Sequence, residues 1–294
     1  MSAPILVTGV PRSGTTWLAR VLATSPRAAL AGREPMNPRG RQYALGGTLP
    51  GWASLSDLTV HQRIALRSAY RGCNPLVFGR YGRRQWAAPL PWVRVVVKDP
   101  FALLSLPVIA STTGALPVVL FRHPGAVLAS YQRMGWQPDL DELQGVLSGL
   151  PAESGRARDL PARAASDPLV AMGWFWSTLY DLALDGLEST GTSAVIVSHE
   201  ELADNGEGAG RALFEAVGLS WGPATTHEFA QSSSESSVPQ DPTALHNLHR
   251  SGHEAATGWR SRLTDSEIST IEQVTEETRD RLDRARLQVS LSLS

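Results

Sequence analysis

The residues "GVPRSGTT", Gly9 to Thr16, follow the apolar run Ile5–Thr8 and precede an amphipathic segment. A Walker-type phosphate loop reads G-x-x-x-x-G-K-[ST]. Its backbone N–H groups wrap an anion, and the helix behind it adds the partial positive charge of its N-terminus. Here both glycines and the final Thr16 are in place, but Thr15 stands where the lysine belongs and a charge appears earlier, at Arg12. In triphosphate enzymes that lysine neutralises the β- and γ-phosphates with the help of magnesium. A loop without it carries less positive charge and suits a ligand with less negative charge at that point. Pro11, Arg12, Ser13, Gly14, Thr15 and Thr16 are therefore the candidate anion-binding residues.

Two further cationic positions stand out. Of 27 basic residues only Lys98 is lysine, and it ends the apolar run "VRVVVKDP". Strand ends of this kind carry ligand contacts in α/β sheets. A compact ammonium and a planar guanidinium are not interchangeable, so Lys98 is a candidate for a task arginine would not do; a plain compositional bias toward arginine is the other reading. Arg122 ends another apolar run, and Pro124 opens a helix behind it, where proline is favourable. On that helix Ser130 and Arg133 are three apart and share a face. Two guanidinium groups and a hydroxyl suit a doubly charged phosphate. Glu34 lies 22 residues after Arg12, at the end of the neighbouring strand. It is either a reacting carboxylate or an ion-pair partner of Arg33 or Arg39. No His/Cys/carboxylate cluster has metal-ligand spacing, and the nearest strand-end carboxylate, Asp99, adjoins Lys98. No metal is expected.

These residues need a scaffold. Short, mostly β-branched apolar runs at Ile5–Thr8, Ala28–Ala31, Val93–Val97, Pro117–Phe121 and Ala194–Val197 read as strands covered on both faces. Helical patterns at Thr15–Thr24, Leu55–Arg71, Phe101–Thr113, Pro124–Met134 and Leu169–Leu187 alternate with them. A last helix opens with a capping box, Thr264 with Glu267, and runs to about Arg286. The expectation is a three-layer α/β fold of the P-loop type, with a parallel sheet of about five strands between helices. Residues 1–294 read as one domain, with irregular acceptor-side insertions around 35–92 and 136–168, and a polar, low-complexity stretch at "QSSSESSVPQDPT".

With 294 residues, 42% of them hydrophobic, the chain can bury a large core. The net charge of −1 provides no global field toward nucleic acid or a membrane, so an anion site must be local. One cysteine, Cys73, excludes an intrachain disulfide. No signal pattern or apolar run near twenty residues is present. The expectation is a soluble cytoplasmic protein that neither binds nucleic acid nor inserts in a membrane.

At this level the chain resembles a known family. "GVPRSGTTWL" is similar to the 5′-phosphosulfate loop of sulfotransferases that use 3′-phosphoadenosine 5′-phosphosulfate. "FRHPGAVLASYQR" resembles their 3′-phosphate motif, an Arg at a strand end and a Ser eight residues later, here Arg122 and Ser130. "KDPFALLSLP" is similar to a segment of tyrosylprotein sulfotransferases. "VSHEELADN" resembles the family's Tyr-Glu-x-Leu strand end, with His199 for Tyr. "HRSGHEAATGW" is similar to the late Arg-Lys-Gly loop, here Arg250, Ser251 and Gly252, with Ser for Lys and two extra residues before Trp259.

The resemblance implies 3′-phosphoadenosine 5′-phosphosulfate as co-substrate, and binding roles for His199, Arg250, Ser251 and Gly252. It also implies Glu34 as general base, because its spacing is similar to that of the catalytic Glu in tyrosylprotein sulfotransferases. Some family members use a His, for which His61 and His123 are the rival candidates. Lys98 and Arg12 would offset charge on the transferring group.

The resulting expectation is in-line sulfuryl transfer to a hydroxyl, less readily an amine, of a small-molecule or carbohydrate acceptor. A small-molecule kinase or a catalytically silent nucleotide-binding protein are the alternatives. The acceptor side is read from Tyr43, Trp52, Tyr70, Tyr81, Trp86, Trp92, Trp136, Trp174 and Trp176, which line a pocket or form ordinary core. Arg80, Arg83 and Arg84 either meet an anionic acceptor or are solvated.

Overall fold

The computed structural model describes residues 3–31, 33–39, 45, 47–74, 88–150, 159–233 and 257–287, of which 230–233 are described as backbone alone. Five strands, β1 (Ile5–Thr8), β2 (Ala28–Ala31), β3 (Arg94–Lys98), β4 (Leu116–Phe121) and β5 (Val195–Ser198), form one all-parallel sheet in the order β2-β3-β1-β4-β5. Their registers pair Val7 with both Lys98 and Val118, Ala31 with Val97, and Phe121 with Ser198.

Strand alternation sends apolar side chains to both faces, and each face has its own core. Leu6, Val95, Val97, Val119 and Phe121 pack with Leu66, Ile109, Val127, Phe175 and Trp176 on one side. Ile5, Val7, Val96, Val118 and Leu120 pack with Leu18, Leu22, Leu213 and Phe214 on the other. Each fully buried side chain of this size contributes about 1.5–3 kcal/mol, which explains why strands of only four to six residues persist.

The helices are α1 (Thr15–Leu22), α2 (Val60–Tyr70), α3 (Leu106–Thr113), α4 (Pro124–Arg133), α5 (Leu140–Ser148), α6 (Pro168–Thr190), α7 (His199–Asp204), α8 (Gly206–Ala216), α9 (Pro223–Ser233) and α10 (Asp265–Ala285). The capping box of Thr264 with Glu267 opens α10. A second box, Thr59 with Gln62, starts α2 five residues later than the apolar pattern suggested. The segment Phe101–Thr113 is not one helix. A 3-10 turn, Pro100–Ser105, precedes α3, because Pro107 has no N–H to continue an α-helical ladder backward. The insertion expected to be irregular around 136–168 contains α5. Asp139 caps it by accepting the Glu142 N–H at 3.0 Å, with acidic residues in the first turn.

The strand order sets the position of the site. From central β1 the chain goes to β2 and β3 on one side, then to β4 and β5 on the other. Connections leave β1 and β4 in opposite directions, which opens a crevice above their carboxyl ends. The Gly9–Gly14 turn, Glu34, Arg122 and His199 follow strand ends at this edge, and Lys98 is the last residue of β3.

Candidate active site

The turn between β1 and α1 is held by one phenol from below. Tyr180, fully buried on α6, donates its hydroxyl to the Leu120 carbonyl at 2.8 Å. The same oxygen accepts the Val10 N–H at 3.2 Å and meets the Ser13 hydroxyl at 3.2 Å, which must then be the donor. The turn is thus fastened to β4 and α6 at a single atom, and burial pushes the Tyr180 phenol up from its ordinary value, so it stays a donor.

Two glycines are required by close approach. A Cβ on Gly9 (φ 149°) would lie 2.1 Å from the Leu120 carbonyl oxygen. One on Gly14 (φ 98°) would lie 2.7 Å from the His199 ring. Gly14 is the N-cap of α1 and supplies no side-chain cap of its own, the form that an anion-binding helix start takes.

Arg12 is the only non-glycine with positive φ, 75°, among the described residues. Backbone in that region is costly and concentrates at ligand sites. Its carbonyl accepts Arg122 Nη1 at 3.3 Å, and its own Nε donates to Ser130 Oγ at 3.0 Å. The guanidinium lies 5.8 Å from the ring of Trp136, which is partly exposed. Burial lowers the Arg12 pKa, yet a guanidinium remains charged. The loop cation and the Arg122–Ser130 pair therefore form one connected cationic array across the crevice. Arg133 closes the same helix, half-buried.

On the other side of β1, Lys98 Nζ contacts Glu34 Oε1, and Asn37 Nδ2 contacts Glu34 Oε2. Lys98 and Glu34 are both mostly buried. Arg39 does not pair with Glu34; it binds Glu142 at 2.6 Å and Asp139 at 3.3 Å, on and beside α5. Asp99 is fully buried, its carboxylate accepting the N–H groups of Met36 at 2.5 Å and Phe101 at 3.1 Å. Burial and the nearby Glu34 charge push Asp99 up to about 8, against the pull of those two N–H donors and of Lys98.

The two rival histidines are accounted for otherwise. His61 is exposed on α2. His123 caps α4, its Nδ1 accepting the Gly125 N–H at 3.1 Å, so its single proton sits on Nε2, 3.1 Å from Glu272. Its ring stacks on Trp259 at 4.3 Å. Burial, assisted by the Arg279 charge, pushes His123 down to about 4. A base held neutral in the fold stabilises it fully above its unfolded value near 6.5 and loses that contribution as pH falls toward 4. Between pH 7 and 5 the wild type is expected to lose about 2 kcal/mol of unfolding free energy beyond any loss in His123→Asn. Urea titrations at both pH values check this, and parallel losses in the two proteins contradict it.

His199 is buried beneath the turn with its ring 5.9 Å from Trp17, and burial followed by the Arg122 charge drives it well below its usual value. Next to it Glu200 accepts the His123 N–H at 2.9 Å and the Ser198 hydroxyl at 3.1 Å. Trp52, Tyr70, Trp174 and Trp176 are buried core, whereas Trp92 and Trp136 are exposed. Arg250, Ser251, Gly252, Tyr43, Tyr81, Trp86, Arg80, Arg83 and Arg84 lie outside the described residues.

Tyr180, Asn37 and Glu200 were not singled out by sequence reasoning. Tyr180 reads as one more core residue of a long apolar helix, and only the fold brings its hydroxyl under the turn. Asn37 had a usable signal, since it sits three residues after Glu34 in a Pro-rich turn.

Among the described residues no group of three His, Cys, Asp or Glu side chains is arranged to hold a metal ion, and no helix is long and apolar enough to cross a membrane. A family model described as "Sulfotransferase family" matches residues 4–223. No curated protein matches by sequence. Among solved structures, the chain is similar to the sulfotransferase domain from the curacin biosynthetic pathway, at 16% identity and a TM-score of 0.49, covering 93% of this chain and 97% of that one. It is also similar to mouse sulfotransferase SULT7A1 complexed with PAP, at 13% identity and a TM-score of 0.46, covering 96% and 88%. A sulfotransferase from Alicyclobacillus acidocaldarius matches at 14% identity and a TM-score of 0.42, covering 94% and 96%.

Proposed function

The chain belongs to the sulfotransferase family, and on that premise we propose that it moves a sulfuryl group from 3′-phosphoadenosine 5′-phosphosulfate to a hydroxyl of a small-molecule or carbohydrate acceptor. One observation carries this reading: an anion loop with Thr15 in the lysine position is joined through Arg12 to a cationic array beyond it, where Arg12 Nε meets Ser130 at 3.0 Å and Arg122 meets the Arg12 carbonyl at 3.3 Å. A triphosphate would leave the loop short of charge. A sulfuryl group carries one charge where a terminal phosphoryl carries about two, and the ribose 3′-phosphate has its own guanidinium groups.

In the proposed step the acceptor oxygen attacks sulfur in line, and its proton passes to Glu34 as general base. The bond between sulfur and the bridging phosphate oxygen breaks, and adenosine 3′,5′-bisphosphate leaves with the electron pair. Lys98, Arg12 and the loop N–H groups offset charge on the bridging and equatorial oxygens. Before the donor arrives Lys98 sits on Glu34. The donor's anionic groups compete for the same ammonium, and when Lys98 moves to them the carboxylate becomes available to the acceptor proton. Binding and positioning supply the rest.

We read residues 1–294 as one sulfotransferase domain, and a cytoplasmic setting suits its single cysteine, the exposed Cys73. The kinase reading is less well supported. It needs a loop lysine and a carboxylate free to hold magnesium, and the nearest strand-end carboxylate, Asp99, is fully buried with both oxygens on backbone N–H groups.

Transfer of labelled sulfate from the donor to a library of hydroxyl compounds tests the activity. Arg122→Ala is expected to weaken adenosine 3′,5′-bisphosphate binding by about ten- to a hundredfold, the loss of a bidentate charged contact, while leaving adenosine 5′-monophosphate binding unchanged. Calorimetry with the two nucleotides checks it; equal losses for both would move the 3′-phosphate site elsewhere.

A further inference from the structure

The Glu34 carboxylate is held at both oxygens, by Lys98 on Oε1 and by Asn37 on Oε2. Asn37 is not free to turn over. Its Oδ1 accepts the Arg39 backbone N–H at 2.8 Å, which leaves the NH₂ end facing Glu34. A reversed amide would set a carbonyl oxygen against a carboxylate and NH₂ against N–H. The backbone supports the same arrangement, with the Asn37 N–H 3.3 Å from the Glu34 carbonyl oxygen. Below the turn, Asp99 holds the Met36 N–H at 2.5 Å, and its own N–H donates to the Val7 carbonyl at 3.0 Å. The turn bearing Glu34 is therefore fixed to both β3 and β1, with Met36 buried beneath it.

We propose that Asn37 is a positioning residue for sulfuryl transfer, holding the Glu34 carboxylate in place once Lys98 is drawn to the donor, with Asp99 fixing the turn that carries both. The proposal rests on the sulfotransferase reading and on Glu34 as its base. A glutamate has three side-chain torsions, and losing the Lys98 contact at the moment of reaction would free them. One charge-assisted hydrogen bond from an amide that cannot rotate keeps the carboxylate aimed. A carboxylate has about four lone-pair sites, so Asn37 on one of them leaves others for the acceptor proton. Lys98, at the end of β3, and Asp99, directly after it, face Glu34, with the buried Tyr70 of α2 behind Asp99. Arg39, on its own segment, is turned to Asp139 and Glu142.

The test compares wild type, Asn37→Ala and Asn37→Asp by the rate of adenosine 3′,5′-bisphosphate release from the donor, with p-nitrophenol as probe acceptor. This readout also counts transfer to water. Asn37→Ala is expected to lower kcat by about ten- to a hundredfold, the loss of a hydrogen bond to a charged group, with bisphosphate affinity within about twofold. Asn37→Asp sets a second carboxylate against Glu34. Like charges in contact share a proton, so its kcat–pH profile is expected to move to higher pH by about one unit, and that of Asn37→Ala, which has lost a donor favouring the ionised carboxylate, to move the same way by less. A residue with only a structural role would depress the rate equally at every pH. Unchanged kcat in Asn37→Ala, or an Asn37→Asp profile that superimposes on wild type after scaling, overturns the proposal alone. A wild type that neither releases nor binds the bisphosphate overturns the sulfotransferase reading as well.

Discussion

Replacing Lys98 with Ala is expected to lower turnover by about two to three decades while donor affinity changes much less. The estimate is the cost of removing one preorganised charge from a water-poor site where charge develops. Lys98 ends β3 opposite Val7, so the sheet itself sets its position beside the anion turn. The substitution also strips Glu34 of its cation, and the double variant Lys98→Ala/Glu34→Gln separates the two effects. If Lys98 acts only by holding Glu34, the double variant is no worse than Glu34→Gln alone; if it also acts on the sulfuryl group, the losses compound. Lys98→Arg should not restore the rate, because a planar fork cannot replace a compact ammonium at that strand end. Near-normal turnover in Lys98→Ala, measured as steady-state bisphosphate release, would remove Lys98 from the mechanism.

The second large effect belongs to Glu34. Glu34→Gln keeps the size of the side chain and an acceptor for Lys98, but it cannot take a proton. A general base contributes about two to four decades to a rate, and a loss in that range is expected, with adenosine 3′,5′-bisphosphate affinity retained. The contrast with Arg122→Ala is diagnostic, since that variant should lose affinity for the bisphosphate. Undiminished kcat in Glu34→Gln would return the search for the base to other groups. His61 would be a poor choice because it is exposed on α2, and His123 would be another because both its ring nitrogens already have partners.

Much of the scaffold was legible because its signals are local. Four residues at Ile5–Thr8 and four at Ala28–Ala31 suffice to mark strands when both faces are covered, since nearly every position must then be apolar. The start of α10 was legible because a capping box is a property of four consecutive residues. The division at Pro107 was missed because the apolar pattern of Phe101–Thr113 runs straight through it, although a proline's missing N–H was there to be read. Helix α5 was missed because its flanks are rich in Gly and Pro, which outweighed Asp139 as a cap.

For the site, residue types and strand ends pointed to Glu34, Lys98, Arg12 and Arg122, but not to their pairing. Arg33 and Arg39 were the partners expected for Glu34 by proximity in sequence. The fold instead brings Asp139 and Glu142 to Arg39, a hundred residues later, and leaves Lys98 for Glu34. Tyr180 illustrates the general limit: its value lies in one hydroxyl of α6 meeting three partners from two distant segments, a relation that no window of sequence contains.

The central claim is that this anion loop is undercharged for a triphosphate and matched to a donor with a separately held ribose phosphate. Calorimetry on the full chain with adenosine 3′,5′-bisphosphate, ATP with magnesium, and adenosine 5′-monophosphate tests it most directly. The bisphosphate is expected to bind more tightly than either of the others by about a hundredfold, roughly 2.7 kcal/mol. ATP with magnesium binding as tightly as the bisphosphate, or no bisphosphate binding at all, would contradict it.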